Sequence, residues 1–305
     1  MTTQALESKL GPSGSEIPNI RKITLALDGS ESSLFASKVA AFVAKGFKAS
    51  VTAVCVLPRL SVASEEPDET ARKSLETAMS MFTSYEGVAA NSKILKARSF
   101  SISEEIVDYV AKEKSDLVVC GNRGLGGFRR MLLGSVSASL VTHSPSSVMV
   151  VRPFGAGSKK QMIGRVLVAT DGSEGAAKAV RLSVSLAKAL SLKVTFVNVF
   201  YFPPMSFAFG GGSWVQQATE ESIREGKRVT LEAQTFARSQ GLEAETHVIE
   251  EMRPPVEALT MFADEEKFDL IAVGTRGLGG FTRLALGSVA SGVVHYAHCS
   301  VLVAK

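Results

Sequence analysis

Two short constellations in the sequence carry residues suited to chemistry, and each occurs twice. The first is Asp28-Gly29-Ser30, which returns as Asp171-Gly172-Ser173. The second is Gly121-Asn-Arg-Gly124 followed, after nine intervening residues, by Gly134-Ser135; it returns as Gly274-Thr-Arg-Gly277 and Gly287-Ser288 at the same spacing. Glycines let backbone N–H groups approach an anion closely. A Gly-Ser pair opening a helix adds the donors of a helix N-terminus and a hydroxyl, a combination suited to phosphate. Arg123 and Arg276 within the loops, and Arg129, Arg130 and Arg283 just beyond them, supply positive charge. An aspartate at the end of a strand suits the hydroxyls of a ribose. The competing interpretation is a glycine-rich turn with serine as a plain N-cap, but identical spacing in two places favours phosphate. The loops differ from two familiar phosphate motifs. Neither contains the GxxxxGK[ST] pattern, and no GxGxxG follows the first strand with an acidic residue about twenty positions on.

The duplication extends to the elements that must position these residues. Ile23–Ser30 matches Val166–Ser173 with an offset of 171 − 28 = 143, and the glycine loops match with an offset of 274 − 121 = 153. The second copy therefore carries an insertion of about ten residues, which falls at Tyr201–Trp214. This stretch is rich in Phe, Pro and Gly, and is expected to form a lid over the ligand, a cover for an inter-domain surface, or a plain loop. The 305 residues thus divide into a polar flexible tail (1–19), a first domain (20–153), a linker (154–163) and a second domain (164–305). In the first copy, apolar runs predict strands at Lys22–Leu27, Ser50–Leu57, Lys93–Ala97, Leu117–Cys120 and Val148–Val151. Helical spacing predicts helices at Glu31–Lys45, Thr70–Glu86, Glu104–Glu113 and Ser135–His143. The second copy follows the same order: the repeat of the first strand leads from Val166 to Asp171, Val194–Phe200 is its second strand, and Val301–Ala304 its last. Apolar strands alternating with helices predict, for each copy, a doubly wound α/β unit with a five-stranded parallel sheet. Ligands of such sheets bind at the carboxyl ends of the strands, where both motifs lie.

Other chemistries find little support. The balance of 34 Lys and Arg against 30 Asp and Glu, net +4, is spread along the chain without the basic clusters and interleaved aromatics of a nucleic-acid binder. Mean hydropathy is +0.17, yet no apolar run approaches the length of a membrane span. Cys55, Cys120 and Cys299 fit neither a disulfide framework nor metal spacing, and the tail lacks a signal-peptide core, so the cytoplasm is expected. Cys55 and Cys120 lie in strands as small apolar residues, although closeness to a ligand would give them redox sensitivity. His295 and His298 with Cys299 could touch a metal, but no supporting ligand cluster accompanies them, and histidines at a helix end are favourable without one. No nucleophile with a partnering base is visible, so no catalytic residue is assigned.

A strand ending in Asp-Gly-Ser, followed by G-x2-G-x9-G-S, resembles the universal stress protein domain of the ATP-binding type, in both copies. The resemblance implies a Rossmann-like, adenine nucleotide alpha hydrolase-like fold that binds ATP, or AMP or ADP, with Mg2+ as a possible companion. It implies that Asp28 and Asp171 contact the nucleoside, and that backbone at Val56 and Val199 contacts adenine. It places the phosphates on Gly121, Gly124, Gly134 and Ser135, and on Gly274, Gly277, Gly287 and Ser288, beside Arg123 and Arg276. It also implies that the final strands pair, so that one tandem chain forms an intramolecular pseudo-dimer and could dimerise further. The expected role is stress adaptation through a protein partner not identifiable from sequence. The alternatives are a slow Mg2+-dependent ATPase or phosphotransferase and a nucleotide-free interaction module.

Overall fold

A computed structural model describes residues 10, 16–58, 69–85, 87–98, 101–124, 133–154, 162–201, 213–277 and 286–305. The chain divides into two compact units. One comprises Asn19–Ile163 with Cys299–Val303 and Lys305; the other comprises Gly164–His298 with Met1–Pro18 and Ala304.

In the unit of the first copy, β1 (Lys22–Leu27) leads through Asp28 into α1 (Glu31–Phe47), then β2 (Ser50–Leu57), α2 (Glu69–Thr83) and β3 (Ala89–Lys96). The chain continues as α3 (Ile102–Glu113), β4 (Leu117–Gly121), α4 (Ser135–His143) and β5 (Ser147–Val151). The strands lie in the order β3-β2-β1-β4-β5, all parallel. Every residue of β4 and β5 is buried, as a sheet covered on both faces requires. The order reverses between β1 and β4, which opens a crevice at their carboxyl ends. Helix α1 starts where it does because the Ser30 side chain accepts the Ser33 amide hydrogen bond, capping the helix.

β1, β2 and α4 occupy the residues predicted for them. β3 begins at Ala89 rather than Lys93, because Ala89–Ser92 is a largely exposed edge segment with no apolar run to mark it. α3 begins two residues before the predicted Glu104, since the Ser101 side chain accepts from the Glu104 amide and caps the helix there.

The second copy repeats this plan as β6 (Arg165–Ala169), α5 (Glu174–Leu190), β7 (Lys193–Tyr201), α6 (Ser213–Ser239), β8 (Ala244–Glu251), α7 (Pro255–Glu265), β9 (Leu270–Gly274) and α8 (Ser288–Tyr296). Parallel pairing gives the order β9-β6-β7-β8. The last strand, β10 (Ser300–Ala304), runs antiparallel to β5, with Val301 opposite Val150 and Val303 opposite Val148. Ser300 Oγ accepts from the Arg152 amide at 3.1 Å, and Ser147 Oγ from the Lys305 amide at 3.1 Å.

Of the insertion, Tyr201 ends β7 and Ser213 and Trp214 open α6, which at 27 residues is far longer than the 15-residue α2. The rest of the insertion, residues 202–212, lies outside the described residues, as do most of the tail and of the linker. Among the described residues no helix is long and apolar enough to cross a membrane.

Candidate functional site

In the first copy the site begins where β1 ends. Gly29 takes φ +84°, a conformation that turns the chain sharply after Asp28 and that L side chains rarely adopt. The Ser30 amide and hydroxyl both reach Asp28 Oδ1, at 3.1 and 2.6 Å, and so fix the orientation of the carboxylate. The first turn of α1 also grips the glycine loop. Ser32 Oγ donates to the Arg123 carbonyl at 2.5 Å and accepts from the Arg123 amide at 3.2 Å. This grip explains Gly121: a Cβ there would collide with the Ser32 hydroxyl and with the backbone of Ser32 and Ser33, about 2.7 Å away. A Cβ on Gly124 would collide with Asp28 Oδ2, so the loop backbone runs directly against the carboxylate. The loop returns when the Gly134 amide donates to the Asn122 carbonyl at 2.7 Å, and α4 starts there.

Gly134, not Ser135, is the N-cap of α4, and no side chain caps that helix. The plain N-cap interpretation of Ser135 is therefore incorrect: the serine is the first helical residue and is exposed. The same holds for Gly287 and Ser288 at α8. An N-terminus without a side-chain cap presents backbone donors and the positive end of the helix dipole.

Asp28, Val56, Gly121, Arg123, Gly124, Gly134 and Ser135 all line one cavity of about 620 Å³. Their counterparts Asp171, Val199, Gly274, Arg276, Gly277, Gly287 and Ser288 all line a second, of about 510 Å³. Within the described regions, every residue expected from the sequence to contact a nucleotide thus lies at one of the two cavities, whereas His295, His298 and Cys299 line neither. Arg129, Arg130 and Arg283 lie outside the described regions.

The second site reaches the same geometry by a different local solution. The Ser173 amide donates to Asp171 Oδ1 at 3.0 Å, and the Ser173 hydroxyl to the Arg276 carbonyl at 3.1 Å. Gly175 stands where the first copy has Ser32. The clamp is replaced by backbone against backbone: a Cβ on Gly175 would strike the Arg276 carbonyl, and one on Gly274 would strike the Gly175 carbonyl group. Sequence reasoning did not find Ser32, Gly175, or the apolar wall of Ile102 and Ile106, which is matched at the 153 offset by Pro255 and Leu259. The 153 offset was the available signal for the wall, whereas Ser32 and Gly175, related by the offset of 143, differ in type and left none.

The electrostatics favour an anion. Arg123 Nε is buried with no hydrogen-bond partner, so its guanidinium retains donor capacity at the cavity wall. The buried Arg152 guanidinium is pushed down to about 10, mainly by desolvation and further by the charge of Arg123. Among the described residues no group of three or more His, Cys, Asp or Glu could hold a metal. His295 Nδ1 lies 2.8 Å from the Ser291 carbonyl and His143 Nδ1 lies 3.1 Å from the Ser139 carbonyl, each one turn back on its own helix.

Cys120 lines the first cavity, but burial pushes its thiol up to about 12. The thiolate fraction at pH 8 is then about one in ten thousand, which works against redox sensitivity there. A Cys120→Ser variant is expected to show the same number of thiols reactive toward Ellman's reagent as the parent at pH 8 when native, and one fewer when unfolded. A difference already present in the native proteins would contradict the burial argument.

The model of the Universal stress protein family matches residues 19–152 and again 162–305. A universal stress protein of Methanocaldococcus jannaschii is 32% identical over 141 residues, covering 46% of this chain and 81% of that protein. One of Mycolicibacterium smegmatis is 27% identical over 253 residues, covering 81% of both chains. The crystal structure of a universal stress protein from Archaeoglobus fulgidus superposes with a TM-score of 0.61 at 21% identity, over 93% of this chain and 96% of that one, a likeness of fold. Two successive family matches that between them span nearly the whole sequence place the chain in the universal stress protein family, with two copies of its domain in tandem.

Proposed function

We propose that each half of the chain binds an adenine nucleotide, ATP or its di- or monophosphate, and that occupancy regulates a stress response in the cytoplasm by altering conformation or the choice of a protein partner. The observation that carries this reading is the helix N-terminus without a side-chain cap, at α4 and at α8. Each faces a cavity in which the loop glycines, Gly121 and Gly124 or Gly274 and Gly277, leave no room for a Cβ, and whose wall carries an aspartate. Phosphates would meet the backbone at Gly124 and at Ser135, with the Arg123 guanidinium alongside; the Asn122, Arg123 and Gly134 amides are already donated to Val151, Ser32 and Asn122 and hold the loop in shape. The strand order supports one direction for the ligand. The glycine loop leaves β4, Asp28 leaves the adjacent β1, and the apolar far wall is Val56 and Leu57 on β2, one strand further on. A nucleotide with its phosphates on the loop would lay its ribose at Asp28 and its base against β2, and equivalently at Asp171 and β7. Mg2+ would arrive with the triphosphate, and Asp28 and Asp171 are the carboxylates among the described residues lining the two cavities.

Binding is preferred over turnover for a structural reason. Asp28 Oδ1 is already engaged by Ser30, and the residues described at either cavity include no His, Glu or Lys to act as a general base. Isothermal titration with ATP, with and without Mg2+, is expected to give two molecules bound per chain. No heat, together with no thermal shift on adding nucleotide, would overturn the reading and favour an interaction module. Mg2+-dependent release of phosphate would favour the enzyme instead.

A further inference from the structure

The two cavities differ at the end away from the glycine loop, and the difference centres on one side chain. Asn198 on β7 occupies the position of Cys55 on β2. Its Nδ2 donates to the Thr170 carbonyl at 2.8 Å, immediately before Asp171. Its Oδ1 lies against α6 at Gly226, where an added Cβ would stand 2.6 Å from that oxygen and 3.2 Å from Cγ. A glycine in the body of a helix carries a conformational cost, and here it makes room for the carboxamide. Counted back from the strands that follow, Ala89 and Ala244, Gly226 takes the place of Ala71 on α2. The consequence shows in the walls. In the first site the cavity opens as far as helix α2, touching Thr70 and Ala71. In the second, no described residue of α6 reaches the cavity, and Asn198 stands at the wall instead.

We propose that Asn198 sets the size limit for the base in the second site, so that the first site accepts a base enlarged on its distal edge and the second rejects it. This rests on the nucleotide orientation argued above. In adenine the N6 edge lies opposite the glycosidic nitrogen, so a substituent on N6 is the group carried furthest toward β2 or β7 and the helix beyond. At Cys55 and Ala71 it finds open cavity; at Asn198 it meets a carboxamide tethered to the Thr170 carbonyl and backed by α6.

The test compares ATP with N6-benzyl-ATP by calorimetry on the full-length chain. Asp171→Asn isolates the first site and Asp28→Asn the second. The ratio of the two affinities is the readout, because it cancels any general effect of a substitution on nucleotide binding. The analogue is expected to bind within about threefold of ATP at the first site and at least about tenfold more weakly at the second. Asn198→Ala, and separately Asn198→Cys with Gly226→Ala, should bring the second-site ratio to that of the first. Equal ratios at both sites of the parent, rejection at both, or a second-site ratio unmoved in both variants would each overturn the proposal. Failure of ATP itself to bind would instead remove the reading on which it rests, so the two failures are distinguishable.

Discussion

Replacement of Gly274 by alanine is expected to destabilise the second unit by about 3 kcal/mol, the upper end of the cost of forcing an extra methyl into a packed interior. Gly274 ends β9, and its Cα points at the first turn of α5. An added Cβ would overlap the carbonyl carbon and oxygen of Gly175 and would stand 2.7 Å from the Ala176 amide nitrogen. All of these are backbone atoms in a helix capped by Ser173, so none can rotate aside as a side chain would. Relief requires the helix and the strand to separate, and that movement would also pull Asp171 away from Gly277. Gly164→Ala provides the contrast: it is exposed, its nearest atom would be Asp269 Oδ2 at 3.5 Å, and its cost should lie within about 0.5 kcal/mol. Urea denaturation of the two variants measures the difference. Equal stabilities would show that strand and helix are not locked together at this contact.

The same contact shows what the sequence could and could not convey. Gly274 was recognisable as a candidate site residue because it repeats Gly121 at a fixed spacing. Its structural reason was not, because Gly121 packs against a serine side chain and Gly274 against the bare backbone of another glycine. One motif is thus supported in two ways, and a motif search detects only what the two share. The strands of the first copy were legible for a simple physical reason. β1, β4 and β5 are buried along nearly their whole length, so each is a continuous apolar run, whereas the exposed start of β3 left no such mark. The pairing of Asn198 with Gly226 was invisible for another reason. Neither residue belongs to a repeated motif, and they lie on different elements brought together only when α6 packs on β7. Gly226 in isolation reads as a weak point in a helix. It acquires a purpose only beside the carboxamide that fills the space where a Cβ would be.

The largest effect on function is expected from the two aspartates. Asp28→Asn should weaken nucleotide binding at the first site by about tenfold to a hundredfold, the range that follows from losing a hydrogen bond to a charged acceptor worth about 1.5–3 kcal/mol. Asparagine is the informative substitution because it separates two roles of the carboxylate. Its remaining oxygen can still accept from the Ser30 amide and hydroxyl, so the turn after β1 and the cap on α1 are kept. The other carboxylate oxygen, which lies against Gly124, becomes an NH2 group, a donor facing the ribose hydroxyls that the aspartate would accept from. Asp171→Asn should act in the same way through Ser173 and Gly277. Each single variant should therefore show one binding event at the original affinity and one weakened event, with melting temperature unchanged in the absence of nucleotide. The double variant should retain no tight site. Two undiminished events in both single variants would mean that the aspartates serve only to hold the Asp-Gly-Ser turn, and the recognition of the sugar would have to come from the loop backbone.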